Sequence, residues 1–209
     1  MELETAIRRR RMIRAFSPAP LESAAIDRLL DLARRGPSAG NTQAARFVVL
    51  DRPELVARYW DTTLPDGGPG AKRSSFRWQG LLDAPALILV TTEPQRYLSR
   101  YSQPDKAKAG RGGSTERWPV PYWWVDAGAV VQNLLLLAVE SGLGACLFGP
   151  FDHEEAIKSE FGLADGTRIA ATVAIGHPLP DEPGRSAARP RPPLDEVITR
   201  PRAAGRPTD

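Results

Sequence analysis

Residues 122–141 read Tyr-Trp-Trp-Val-Asp-Ala-Gly-Ala-Val-Val-Gln-Asn-Leu-Leu-Leu-Leu-Ala-Val-Glu-Ser. On a helix of about 3.6 residues per turn, Val125, Ala129, Val130, Val131, the run from Leu134 to Leu137 and Val139 fall on almost every side. A helix without a polar face is a central one, covered by its own domain or by a second subunit. Its most apolar part, residues 127–139, is interrupted by Gln132 and Asn133 and is too short to span a bilayer, so no membrane partner is expected.

Downstream, Gly142 and Gly144 cap this helix and lead into Ala145-Cys146-Leu147-Phe148. A short helix over residues 154–161 and a strand over 169–175 follow, then an extended tail over 180–209 rich in Pro, Arg and Ala. Upstream, residues 94–121 are polar and glycine-bearing and read as one long irregular stretch. A loop of that length inside a compact domain is functional or disordered. This one carries Tyr97, Tyr101 and Trp118 and runs straight into Trp123 and Trp124, which suits a lid over a planar guest. Tyr101, Trp118, Trp123 and Trp124 are therefore the candidate substrate-binding residues, although paired tryptophans serve a core or an interface equally well.

Nearer the start, residues 86–92 and 47–50 read as buried strands, and residues 53–60 as a helix. Residues 62–72 and 37–42 are loops by composition. Ile26, Leu29, Leu30 and Ala33 repeat at helical spacing ahead of Gly36, and a first short helix covers residues 3–11. No glycine fingerprint sits between a strand and a helix, so the pattern is α+β and not a dinucleotide-binding βαβ array. The whole of 1–209 reads as a single domain.

Composition narrows the function. Hydrophobic content of 42% is that of a soluble globular chain. The chain start is acidic and lacks an apolar run, so no signal peptide is expected. The single cysteine, Cys146, reads as a small buried hydrophobe, and such usage fits a reducing cytoplasm. His153 and His177 lie far apart without a cysteine pair, so no metal site is expected. A net charge of +3 does not argue for nucleic acid. Yet of 28 basic residues only Lys72, Lys106, Lys108 and Lys158 are lysines. Arginines crowd both ends: Arg8 to Arg11 with Arg14, then Arg189, Arg191, Arg200, Arg202 and Arg206. Such a cluster is a solvated face, a nucleic-acid surface, or a phosphate pocket built from both ends with forked donors.

The segment Arg10-Arg11-Met12-Ile13-Arg14-Ala15-Phe16 resembles the opening motif of the nitroreductase family. Gly36-Pro37-Ser38-Ala39-Gly40-Asn41-Thr42-Gln43 is similar to that family's Pro-Ser-x-x-Asn-x-Gln segment. Asp126-Ala127-Gly128 with Gln132-Asn133-Leu134-Leu135 looks like its central helix. The stretch from Gly142 to Gly149, and Ile175-Gly176-His177-Pro178, complete the series in family order.

The resemblance implies an α+β, nitroreductase-like fold, with a central, mostly antiparallel sheet flanked by helices and an intertwined homodimer. It implies FMN between the subunits and NADH or NADPH as electron donor. By position Arg10, Arg11, Met12 and Arg14 would meet the FMN phosphate with Arg189 or Arg191. Pro37, Ser38, Asn41 and Gln43 would contact the ring or ribityl chain from the other subunit. Leu147, Phe148 and Gly149 would lie at flavin N5 and O4, where an N–H stabilises arriving charge. The expected activity is ping-pong reduction of a small planar acceptor, a nitroaromatic or a quinone. A deazaflavin in place of FMN, a flavin-destroying synthase, reductive dehalogenation, substrate desaturation and non-catalytic flavin binding are the alternatives. The residues nominate no general acid.

Four residues at three places depart from the family pattern. Met12 stands where a serine or threonine is usual, and Ala44-Ala45 replaces Pro-Trp. Pro150, without an N–H, follows Gly149 and leaves one amide donor there.

Overall fold

The computed structural model describes residues 1–64, 71–180 and 184–201. Among them the strands Arg46–Leu50 (β1), Ala86–Thr92 (β2), Gly144–Phe148 (β3) and Arg168–Gly176 (β4) form one antiparallel sheet in the order β1-β2-β4-β3. The helices are Leu3–Arg9 (α1), Ser23–Ala33 (α2), Pro53–Thr63 (α3), Ala71–Ser75 (α4), Gln79–Leu82 (α5), Pro94–Tyr101 (α6), Tyr122–Glu140 (α7), Glu154–Glu160 (α8) and Leu194–Val197 (α9).

Strand β2 is buried at every residue, and its side chains sort by the two-residue period of a strand. Ala86, Ile88 and Val90 face α2 and α7, where they meet Ile26, Leu30, Val130 and Leu134. Leu87 and Leu89 face the other way, onto Val56, Tyr59, Trp60 and Ile157 from α3 and α8. The result is a sheet covered on both faces, which explains why its strands read as continuous apolar runs. Inside the second layer the Tyr59 hydroxyl lies 2.9 Å from Thr172 Oγ1. Burial pushes the Tyr59 phenol up to about 12, against which the Thr172 contact acts only weakly.

Helix α7 has the length and apolarity of a membrane span, with a mean hydropathy of 1.3. Its place is nevertheless that of a core helix, laid on β2, β3 and β4 and crossing α2. It stops where the Leu143 N–H donates to Ala138 O at 2.8 Å and the Gly142 N–H donates to Val139 O at 3.1 Å. Only one side is covered: Tyr122, Val125, Gly128 and Gln132 form an open stripe along the other.

Residues 94–121 differ from expectation. Their first part is helix α6, which begins with Pro94 in its opening turn and buries Tyr97 and Leu98 on one face. Short 3-10 turns at Ala107–Ala109 and Thr115–Arg117 follow. The segment is thus ordered by its aromatic side chains, not an irregular loop. The first helix also stops early, at Arg9. Of the expected loop over 62–72, residues 65–70 lie outside the described residues, and so do residues 181–183 and 202–209 of the tail, with Arg202 and Arg206.

Candidate active site

The N-terminal motif runs extended beside β3. The Ile13 N–H donates to Ala145 O at 3.0 Å, the Phe16 N–H to Gly80 O at 3.1 Å, and the Leu179 N–H to Ala15 O at 2.9 Å. Phe16 also bridges Pro178, so three separated motifs (residues 10–16, 144–149 and 176–178) meet in one place. Gly80 permits this approach, since a Cβ there would stand 2.8 Å from Ala15 Cα. Met12 packs between the two core layers, and its sulfur accepts the Leu147 N–H at 3.4 Å.

Two cavities flank that junction. One, of about 410 Å³, is lined by Arg14, Trp78, Leu147, Phe148 and Gly149 among others. The Arg14 guanidinium lies 4.8 Å from the centre of the Trp78 ring and donates to Met12 O at 3.3 Å. Among the described residues the Gly149 N–H has no acceptor. The second cavity, of about 530 Å³, lies between α7 and the β3–β4 pair and is lined by Arg10, Met12, Trp124, Gly128, Gln132 and Leu147. Leu147 is a wall of both. Arg11 points to solvent. The tail reaches the site at Gly184, where a Cβ would stand 3.5 Å from Arg14 Nη1, while Arg189 and Arg191 are exposed and line neither cavity.

A guanidinium and a backbone N–H without an acceptor among the described residues, both at the lining of one concavity, make it attractive to an anion or to developing negative charge. Its aromatic walls suit a flat apolar body.

The loop over residues 38–43 belongs elsewhere. Ser38 Oγ accepts the Gln43 N–H at 2.8 Å, and Gln43 Nε2 donates to Asn41 Oδ1 at 2.7 Å, so in the single chain these side chains hold the loop itself. The backbone is left-handed at Gly40, Asn41 and Gln43, with φ of 62°, 55° and 50°. Gly40 is required twice, because a Cβ there would also meet the Tyr101 ring at 2.7 Å. Arg100 Nε donates to Gly40 O at 2.7 Å. Pro37, Ser38, Asn41 and Gln43 line neither cavity. The strand order gives the reason: β1, which this loop enters, and β3 are opposite edges of the sheet, about 14 Å apart at three strand spacings.

Sequence reasoning assigned no role to Asp126, which proves to anchor this loop. Its Oδ2 accepts the Ala39 N–H at 2.8 Å and the Tyr97 hydroxyl at 2.7 Å. Burial first, and then the Asp126 oxygen, hold the Tyr97 phenol far above its ordinary value. The available signal was an acid amid the apolar run of residues 122–139.

Of the four aromatic candidates, Trp118 and Trp123 are buried and pack edge-on against Tyr97 at centroid separations of 5.9 and 6.0 Å. Tyr101 meets Trp118 at 4.7 Å. Only Trp124 lines either of the two cavities. The Arg168 guanidinium lies 5.2 Å from its ring centre and is gripped in turn by Glu154, at 2.9 and 3.1 Å.

The family model for the Nitroreductase family matches residues 7–177. The chain belongs to the nitroreductase family. A protein of Archaeoglobus fulgidus, provisionally named an NADH dehydrogenase/NAD(P)H nitroreductase, is 27% identical over 81% of this chain and 81% of its own length. A 4-nitrobenzoate reductase of a Nocardioides species is 27% identical over 94% of this chain and 88% of its own length. Among solved structures, a nitroreductase family protein of Streptococcus pneumoniae superposes with a TM-score of 0.71 at 19% identity, covering 96% of this chain and 100% of its own. Membership and these relatives make the chain an oxidoreductase of the nitroreductase type.

Proposed function

We propose that this nitroreductase family member is an FMN-dependent NAD(P)H oxidoreductase that works as a homodimer and reduces conjugated acceptors, nitroaromatics or quinones, in alternating half-reactions. The observation that carries the reading is the cavity shared by Arg14 and the Gly149 N–H, which has no acceptor among the described residues. The donor set fits FMN: guanidinium forks for a phosphate dianion, an exposed amide for the ring, and flat apolar walls. Arg10, Arg11, Met12 and Arg14, with Leu147, Phe148 and Gly149, would hold it from one subunit. Pro37, Ser38, Asn41 and Gln43 would come from a second copy, and Arg189 or Arg191 would add phosphate donors. When bound, FMN supplies a two-electron carrier between a nicotinamide and the acceptor.

The chain's own part is positioning. Arg10 and Arg14, one in each cavity on either side of Leu147, would neutralise the phosphate, with Arg14 steadied against Trp78. The Gly149 N–H offers a fixed dipole that needs no reorganisation as negative charge arrives. Trp124 and the aromatic side chains of the first cavity keep water from the reacting face.

Two observations support the dimer. The loop over 38–43 and the β3 edge lie on opposite sides of one chain, so a site using both takes them from two chains. The open stripe Tyr122, Val125, Gly128 and Gln132 on α7 offers a surface for the second copy. The names of the relatives support the nicotinamide and the nitroaromatic. A single, buried cysteine, Cys146, suits a reducing cytoplasm, where we place the protein.

The test is steady-state oxidation of NADH or NADPH with 4-nitrobenzoate and with a quinone, at several concentrations of each. Acceptor-dependent turnover with parallel reciprocal plots is expected. A yellow protein without acceptor-dependent turnover would show a flavin-binding protein instead.

A further inference from the structure

Phe151 adopts φ of +44°, in the left-handed region that side-chain-bearing residues avoid, and it is 83% exposed. A backbone strained in this way persists only where something over-determines it, and burial of the ring does not do so in this chain. The ring instead lies over Gly149, with its atoms 3.4–3.6 Å from where a Cβ at that position would stand. It lines the cavity of about 410 Å³ together with Arg14, Trp60, Trp78, Phe148 and His153. The turn that presents it is rigid: Pro150 has φ of −74°, and the His153 N–H donates to Pro150 O at 2.9 Å. The Trp60 indole N–H, buried at the same cavity, has no acceptor among the described residues.

We infer that Phe151 is the stacking wall of the acceptor subsite and selects flat aromatic acceptors over ones without a ring. The inference rests on the functional reading above and names the side chain that reads the substrate. The left-handed turn serves to place an aromatic face beside Gly149, and stacking on a planar guest is the contact that the isolated chain does not supply.

The test uses the oxidised, FMN-loaded protein and titrates 4-nitrobenzoate by calorimetry without any nicotinamide. Phe151→Ala is expected to weaken binding about tenfold and Phe151→Tyr to stay within about twofold of wild type. Turnover with 4-nitrobenzoate is expected to fall more than turnover with molecular oxygen, which has no ring to stack. Phe151→Gly, which also relieves the backbone, is expected to resist urea better than wild type while binding 4-nitrobenzoate as poorly as the alanine variant. The proposal is overturned if Phe151→Ala keeps its FMN and binds 4-nitrobenzoate as wild type does. It is equally overturned if Phe151→Ala turns a dimer into a monomer, which would put the ring in the interface. A wild-type protein that takes up no FMN overturns both this proposal and the reading beneath it.

Discussion

The Tyr97 hydroxyl donates to Asp126 Oδ2 at 2.7 Å, and the same oxygen accepts the Ala39 N–H at 2.8 Å. Helices α6 and α7 and the loop over 38–43 are thereby joined at one atom. Asp126→Ala would take the acceptor from one buried and one partly buried donor, at a cost of roughly 3 kcal/mol. Asp126→Asn, which keeps one carbonyl oxygen, is expected to lose about 1 kcal/mol. Urea unfolding measures both. If the loop contributes to the flavin site, Asp126→Ala also releases FMN faster.

Gly40→Ala tests the same loop from its backbone. The substitution forces a Cβ into a left-handed residue and against the Tyr101 ring, so a loss of about 1–3 kcal/mol is expected. Gly110 is also left-handed, with φ of 64°, but nothing lies within 4 Å of its added Cβ. Gly110→Ala should therefore cost distinctly less.

The phosphate assignment is tested by Arg14→Ala and Arg191→Ala. Both are expected to weaken FMN retention, Arg14→Ala by about tenfold or more as a charge-assisted contact is lost. Fluorescence titration of the apoprotein reads it. If both variants hold FMN as wild type does, the two-ended phosphate pocket is wrong.

Stability at the extremes of pH follows from one buried contact and one partly exposed ion pair. Tyr59 is held protonated up to about 12, above its ordinary 10.0, so its contribution is complete below about pH 10 and lost as pH rises towards 12. Glu154 is held below its ordinary 4.5: burial opposes ionisation, but the Arg168 fork and the Ile169 N–H outweigh it. Its contribution is therefore present above about pH 4.5 and lost as pH falls through the lowered value. Urea unfolding across both ranges should flatten at the alkaline end in Tyr59→Phe and at the acid end in Glu154→Gln.

The strands and α7 were legible because burial writes itself as apolar periodicity: the alternation of Ala86, Ile88 and Val90 with Leu87 and Leu89 is visible in both chain and sheet. Helix α6 was hidden because Gln95, Arg96, Ser99 and Arg100 dilute the face made by Tyr97, Leu98 and Tyr101, and the glycine-bearing residues after it drew the whole stretch into a loop. The cofactor motif was legible as a string, but its division was not: Arg10 and Met12 face one cavity and Arg14 the other. Nor could periodicity show Phe151, because a left-handed φ at a single residue leaves no pattern in its neighbours.

The most direct test of the account is the visible spectrum of the purified protein before and after NADH or NADPH is added without oxygen. A flavin spectrum that bleaches on addition, and returns with 4-nitrobenzoate, is the predicted result. A colourless protein that takes up no FMN on reconstitution would contradict it.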